Sequence, residues 1–157
     1  MDTVLNNYLK KHGIDFKEHF HIAVFTVPES EKIKNEIPGL HTKNLFLNDE
    51  KNNHYLVCLP AKKRLDMKKL KSFLKVKELH FATPQKLKEL LNLTPGSVSI
   101  FGMIHSSKVV LILDSEVYNS PISTHHPNIN IATLEITNEN LKKFLSSLNC
   151  NYQILEL

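Results

Sequence analysis

A lysine and an asparagine open an otherwise apolar run, Lys43-Asn44-Leu45-Phe46-Leu47, directly after Pro38-Gly39-Leu40-His41-Thr42. An ammonium group at the entrance of a buried strand is costly unless something answers its charge. Lys43 therefore either snorkels to water along its methylene stem or holds an anion: a phosphate, or the negative charge that develops during acyl transfer. Asn44 beside it offers both a donor and an acceptor. Neighbouring strand residues point to opposite faces, so at most one of the pair looks straight into a given cavity. Lys43 is the better candidate.

A second segment, Gly96-Ser97-Val98-Ser99-Ile100-Phe101-Gly102, is bounded by glycines. Glycine lets the backbone adopt conformations closed to other residues and lets a ligand approach the chain closely. The amides of Ser97, Val98 and Ser99 are then candidates to stabilise a carbonyl oxygen as it becomes an oxyanion, a contribution whose loss costs on the order of a hundredfold in rate. An ordinary loop is the bland alternative.

The third segment is His126-Pro127-Asn128-Ile129-Asn130-Ile131-Ala132-Thr133. A histidine fixed by a following proline can hydrogen-bond a substrate amine or sugar. With an ordinary pKa near 6.5 it can also carry a proton. The adjacent pair His125-His126 makes a poor zinc site without a companion cysteine or carboxylate cluster, so no metal is expected. No Gly-x-Ser-x-Gly elbow surrounds Ser97 or Ser99, and no phosphate-binding loop, dinucleotide fingerprint or paired-carboxylate signature is present. No cofactor is called for.

These segments must be held by a frame, and the pattern of the chain supplies one. Residues 2–11 read as an amphipathic helix with Val4, Leu5, Tyr8 and Leu9 inward, stopped by Gly13. Ile14, Phe16, Glu18 and Phe20 alternate as a strand does. Thr26-Val27-Pro28-Glu29 reads as a capping box opening a helix that ends near Pro38-Gly39. Lys43–Leu47 and His54–Leu59 form a hairpin about a polar turn. Asp66 caps a helix with Met67, Leu70, Phe73 and Leu74 on one face and Lys68, Lys71 and Lys75 on another. Glu78–Ala82 is a short strand, and Thr83-Pro84 opens a helix reaching about Leu91. Ser97–Ile104 and Lys108–Leu113 read as a second hairpin, and Asn130–Ile136 as a further strand. Thr137 caps a final helix carrying Leu141, Phe144, Leu145 and Leu148, and Tyr152–Leu157 closes as an edge strand. Strand pairs on tight turns, mixed with helices, predict an α/β protein of mixed α+β type with a mixed sheet, not a doubly wound parallel one.

The 157 residues suit one domain, residues 1–157, large enough to bury a core unaided. The chain is 41% hydrophobic and 23% charged, as in ordinary globular proteins. No apolar run reaches the length of a membrane span. The start lacks the features of a signal peptide, and two cysteines make no disulfide framework. These features together point to the cytoplasm. The net charge of +4 is unevenly spread. Residues 62–77 hold eight basic side chains and one acid, a local +7 that leaves −3 for the remainder. Such a window makes a basic surface patch. Lys68, Lys71 and Lys75 would bind nucleic-acid phosphates, or would simply form a solvated face.

In this order and spacing the three segments resemble the YbaK/prolyl-tRNA synthetase-associated editing family, over roughly residues 26–133. The resemblance is nearest to its freestanding members, which remove alanine from mischarged proline tRNA. It implies a curved, partly barrel-like mixed sheet with helices packed outside. It implies Lys43 as the residue most closely tied to activity, the Gly96–Gly102 loop and His126 about the ester, and Asn130 and Thr133 anchoring their loop. Water would attack the aminoacyl ester without a covalent enzyme intermediate, helped by a ribose hydroxyl of the substrate. The implied partners are the acceptor end of mischarged tRNA and, as proteins, a prolyl-tRNA synthetase or an elongation factor. In relatives the glycine loop usually reads Gly-x-x-x-Pro, where this chain has Ile100. Proline fixes a torsion, so isoleucine would loosen the loop or reshape the pocket. Cysteine and serine esters therefore stay open beside alanine. A non-catalytic tRNA- or partner-binding role and a small-molecule esterase are the readings from other classes.

Overall fold

Short polar side chains open most of the helices. The structure, a computed structural model, describes residues 1–23 and 27–157, without the side chains of Val27, Ser30 and Lys34. In chain order the elements are α1 (Thr3–Lys11), β1 (Lys17–Phe20), α2 (Val27–Glu36), β2 (Leu40–Asp49), β3 (His54–Pro60), α3 (Met67–Leu74), β4 (Leu79–Phe81) and α4 (Pro84–Leu91). A 3-10 helix (Ile100–His105) follows, then β5 (Val110–Asp114), α5 (Ser115–Asn119), β6 (Ile122–His125), β7 (Ala132–Thr137), α6 (Asn138–Ser147) and β8 (Tyr152–Leu155). Asp2, Asp66, Thr83, Asp114 and Thr137 each accept a hydrogen bond from a first-turn amide of the helix that follows. The capping box expected at Thr26 lies outside the described residues.

The strands form one mixed sheet in the order β1-β7-β6-β2-β3-β5-β8, with β4 also pairing β2. The expected mixed sheet flanked by helices is what the chain builds. Its path is open, running from β1 at one edge to β8 at the other. The β2–β3 hairpin is antiparallel, whereas β3–β5 and β5–β8 are parallel. One face packs Leu56, Cys58, Leu111, Leu113, Leu134 and Ile136 against α1, α4, α6 and the 3-10 helix. The other packs Leu47, Tyr55, Val57 and Leu59 under Leu70 of α3. The alternation along β2 and β3 assigns these two sets to opposite faces.

Asp49 shapes the hairpin turn. Its carboxylate is 3% exposed and accepts from the amides of Lys51 and Asn53, the Asn53 side chain and the Tyr55 hydroxyl. Burial alone would raise its pKa; these hydrogen bonds outweigh it and hold the group below the usual carboxylate value.

Several expectations are corrected. Residues 97–113 do not form a hairpin. The Ser99 hydroxyl accepts from the Phe101 amide and the Gly102 amide donates to the Ser99 carbonyl, winding the chain into the 3-10 helix. That turn buries the consecutive pair Ile100 and Phe101 together with Met103, which strand alternation would not allow. β5 then takes two parallel neighbours. The strand expected from Asn130 begins at Ala132, and β6 and α5 were not anticipated. Val4, expected inward, is 56% exposed, and Phe20 of the expected strand is 71% exposed. The first sits off the Leu5/Leu9 stripe, and the second at the open end of an edge strand.

Candidate active site

Lys43 lies where β2 changes neighbours. Leu40 and His41 pair in parallel with Ser123 and Thr124 of β6, and Leu47 to Asp49 pair with β4 on the same edge. Between these pairings the edge is left by one neighbour and not yet taken by the next, while the other edge stays bonded to β3 throughout. Gly39 permits the close approach to β6: at φ +105° it sits where an added Cβ would lie 2.7 Å from the Ile122 side chain.

A cavity of about 330 Å³ opens at this split, near the small end of the range for ligand sites. Lys43, Gly96, His126, Asn130 and Thr133 all line it, although up to 90 residues separate them in sequence. Lys43 is half-buried, and its ammonium has no hydrogen bond or ion pair with any described residue. His41, Thr42, Thr124 and His125 form the sheet wall, and His21, Ile33 and Ala61 complete the lining.

The histidines of the cavity are in distinct states. The His126 Nδ1–H donates to the Ala132 carbonyl at 3.4 Å, which leaves Nε2 as an acceptor. Burial holds its pKa below the usual imidazole value, against the opposing pull of that hydrogen bond, so the ring is neutral near pH 7. His125 is 2% exposed and fully engaged. The Thr42 hydroxyl donates to the Thr124 carbonyl at 2.7 Å, so its oxygen accepts from His125 Nδ1–H at 3.1 Å. His125 Nε2 in turn accepts from the Ser123 hydroxyl at 2.8 Å. Burial lowers the His125 pKa to about 3. This ring is a neutral structural strut. His21 bridges the Ile22 carbonyl at 2.8 Å and the Thr133 hydroxyl at 2.9 Å, and His41 donates from Nε2 to the Ile37 carbonyl at 2.9 Å. Among the described residues, no three His, Cys, Asp or Glu side chains are grouped to hold a metal.

The glycine loop meets the cavity less fully than expected. Gly96, at φ +89°, is on the wall; Ser97, Val98, Ser99, Ile100 and Gly102 are not. The Ser97 amide donates to the Thr94 carbonyl at 3.1 Å, while those of Val98 and Ser99 have no backbone acceptor among the described residues. Ser99 caps the 3-10 helix, Ile100 is wholly buried in the core, and Val98 packs against it. Gly102 is a packing glycine, because a Cβ there would come within 2.6 Å of the Leu93 side chain. Asn44 is not on the wall either. It pairs with Cys58 on the core face, with its Oδ1 buried and unpartnered. Alternation along β2 separates it from Lys43.

The basic window forms the loop before α3 and the helix itself. Lys68 and Lys75 are exposed and Lys71 is half-buried. Lys63 is not part of a free patch, since its ammonium meets the buried Asp114 carboxylate at 2.8 Å.

Residues 21–144 match the aminoacyl-tRNA editing domain. The chain belongs to that family. It is 34% identical over 140 residues to the prolyl-tRNA editing protein ProX of Acetoanaerobium sticklandii, covering 87% of this chain and 85% of that protein. It is 33% identical over 146 residues to prolyl-tRNA synthetase associated domain-containing protein 1 of Danio rerio, covering 90% and 79%. Among solved structures, a protein proposed as a trans-editing enzyme for prolyl tRNA synthetase superposes with a TM-score of 0.77 at 22% identity, over 100% of this chain and 98% of that one. The hypothetical protein APE2540 gives 0.74 at 19% identity, over 94% and 97%. These two likenesses speak to the fold.

As a member of this family the protein is an aminoacyl-tRNA deacylase, a carboxylic ester hydrolase acting on mischarged tRNA. Among the described residues, no helix is long and apolar enough to cross a membrane. Sequence reasoning missed His21, His41 and Thr124 of the cavity wall. Only the pairing of β1 with β7 and of β2 with β6 brings them in, and no local motif marks that.

Proposed function

We propose that the protein acts in trans and removes alanine from mischarged proline tRNA, with the ester held in the Lys43 cavity. The observation that carries this reading is the convergence of Lys43, Gly96, His126 and Asn130 on one small hollow, where Lys43 has no ion partner among the described residues.

In this reading the terminal ribose and its ester enter between β2 and the His126 loop. The neutral His126 Nε2 accepts a hydrogen bond from the substrate ammonium. Water attacks the carbonyl carbon, and the carbonyl electrons move onto oxygen. Lys43, across from Gly96 on the wall, stabilises that oxyanion. Collapse breaks the bond to the ribose oxygen. The water's proton passes to that oxygen through the neighbouring ribose hydroxyl, leaving free alanine and an intact tRNA terminus. Such a second site is needed because a synthetase pocket built for proline cannot strongly reject a smaller side chain, each missing methylene being worth only about 1–3 kcal/mol.

Ile100 is buried away from the cavity, so its departure from the usual proline gives cysteine and serine esters no support here. A prolyl-tRNA synthetase or an elongation factor would be the protein that hands over the mischarged tRNA. Purified protein offered alanyl-, cysteinyl-, seryl- and prolyl-tRNA should release alanine fastest and leave the prolyl ester intact. Preferential release of cysteine or serine would overturn the substrate assignment.

A further inference from the structure

We infer that Phe81 is a stacking platform for the unpaired nucleotides leading into the Lys43 cavity, an inference that rests on the proposed tRNA reading. Phe81 is 69% exposed, leaving most of its ring open to solvent. It pairs directly with Leu47 across β2 and β4, so both side chains project from the same face. Lys43 lies on that face too, four residues earlier on β2 and on the edge that β4 later occupies. Leu45 is the one β2 side chain between them on this face. At strand rise the separation is about 13 Å, within reach of the single-stranded end that carries a terminal adenosine.

The surroundings have the charge that such a strand requires. The helix α3 packs over the same face through Leu70, which shares a cluster with Leu47 and Leu79. It brings exposed Lys68, Lys69 and Lys75, and Lys69 lies 5.9 Å from the ring of the 44%-exposed Phe73. Of the acids in this region, Asp66 is used in capping α3 and Asp49 in its own turn, and Glu50 and Glu78 sit at the far end of β4. There Glu50 accepts from the amides of Lys77 and Glu78, and Glu78 meets His80. An exposed ring on the face that carries the lysine-bearing helix α3, on the same strand face as Lys43, matches the way proteins hold single strands without reading sequence. Charge complementarity therefore favours RNA as the occupant.

The test is affinity for an acceptor-stem minihelix, measured with and without its unpaired 3′ nucleotides. Phe81→Ala should weaken binding of the complete minihelix about tenfold, and Phe81→Trp should restore it. Wild type and F81A should bind the trimmed minihelix alike. Equal affinity of wild type and F81A for the complete minihelix would overturn the inference. So would a deficit that persists on the trimmed one, or lost retention of a synthetase with RNA affinity unchanged. Alanine release by wild type is scored separately, so failure of the proposed function is distinguishable from failure of this inference.

Discussion

Replacing Lys43 with methionine isolates its charge from its packing. The unbranched stem and the strand position opposite Leu59 are retained, and no described partner is orphaned, since Lys43 has none. Stability should therefore change by no more than about 0.5 kcal/mol, or about 1–2 °C in Tm for a chain of this size. The chemistry should respond far more. One cation about 4 Å from a developing oxyanion is worth roughly 4 kcal/mol at the effective dielectric of a partly buried site. Losing one such stabilising group elsewhere costs about 10²- to 10³-fold in kcat. The assay is multiple-turnover release of alanine from alanyl-tRNA by trace enzyme, with kcat and KM resolved. A fall in kcat with KM nearly constant assigns the ammonium to the transition state, whereas a rise in KM alone would make it a ground-state phosphate contact. Near-wild-type kcat and KM from well-folded Lys43→Met would refute the role given to this residue.

Other perturbations separate structure from chemistry. Asp49→Ala should cost about 2 kcal/mol, some 4–8 °C in Tm, because several donors in the turn lose their acceptor; calorimetry checks this, and kcat should be unaltered. His125 is neutral in the fold down to about pH 3, against 6.5 in the unfolded chain. The unfolded state therefore takes up the proton first as pH falls. The His125 contribution is full above about pH 6.5 and is lost progressively toward pH 3, with a slope of at most about 1.4 kcal/mol per pH unit. Denaturant melts across that range should be flatter for His125→Asn, and an unchanged profile would contradict the assignment. Gly102→Ala should lower Tm through its clash with Leu93 while KM stays constant; a raised KM with normal stability would return Gly102 to the site.

What the sequence made legible depended on how local the physics is. Thr83-Pro84, Asp66 and Thr137 announce helix starts through side chain and amide a few residues apart, and all three are caps in the structure. The β2–β3 hairpin is likewise closed by the Asp49 turn within its own loop. Ile100-Phe101-Gly102-Met103 is apolar enough for a strand, and the turn of Phe101 and Gly102 amides back onto Ser99 separates it from one. The strand β6 was illegible because Ser123, Thr124 and His125 are polar residues that become buried through partners on other elements. The cavity was half legible. Lys43 and His126 stand out by chemistry, whereas His21 and His41 acquire a place only from long-range pairing. The two glycines of the loop look alike in sequence, yet Gly96 lies on the wall whereas Gly102 packs against Leu93.

The most direct test is amide chemical-shift mapping with an alanyl-adenosine analogue whose ester oxygen is replaced by nitrogen, so that it binds without being hydrolysed. Saturable shifts should concentrate at Lys43, Gly96, His126, Asn130 and Thr133, and be lost when the analogue carries proline in place of alanine. Shifts confined to another surface, or equal shifts from the prolyl analogue, would contradict the account.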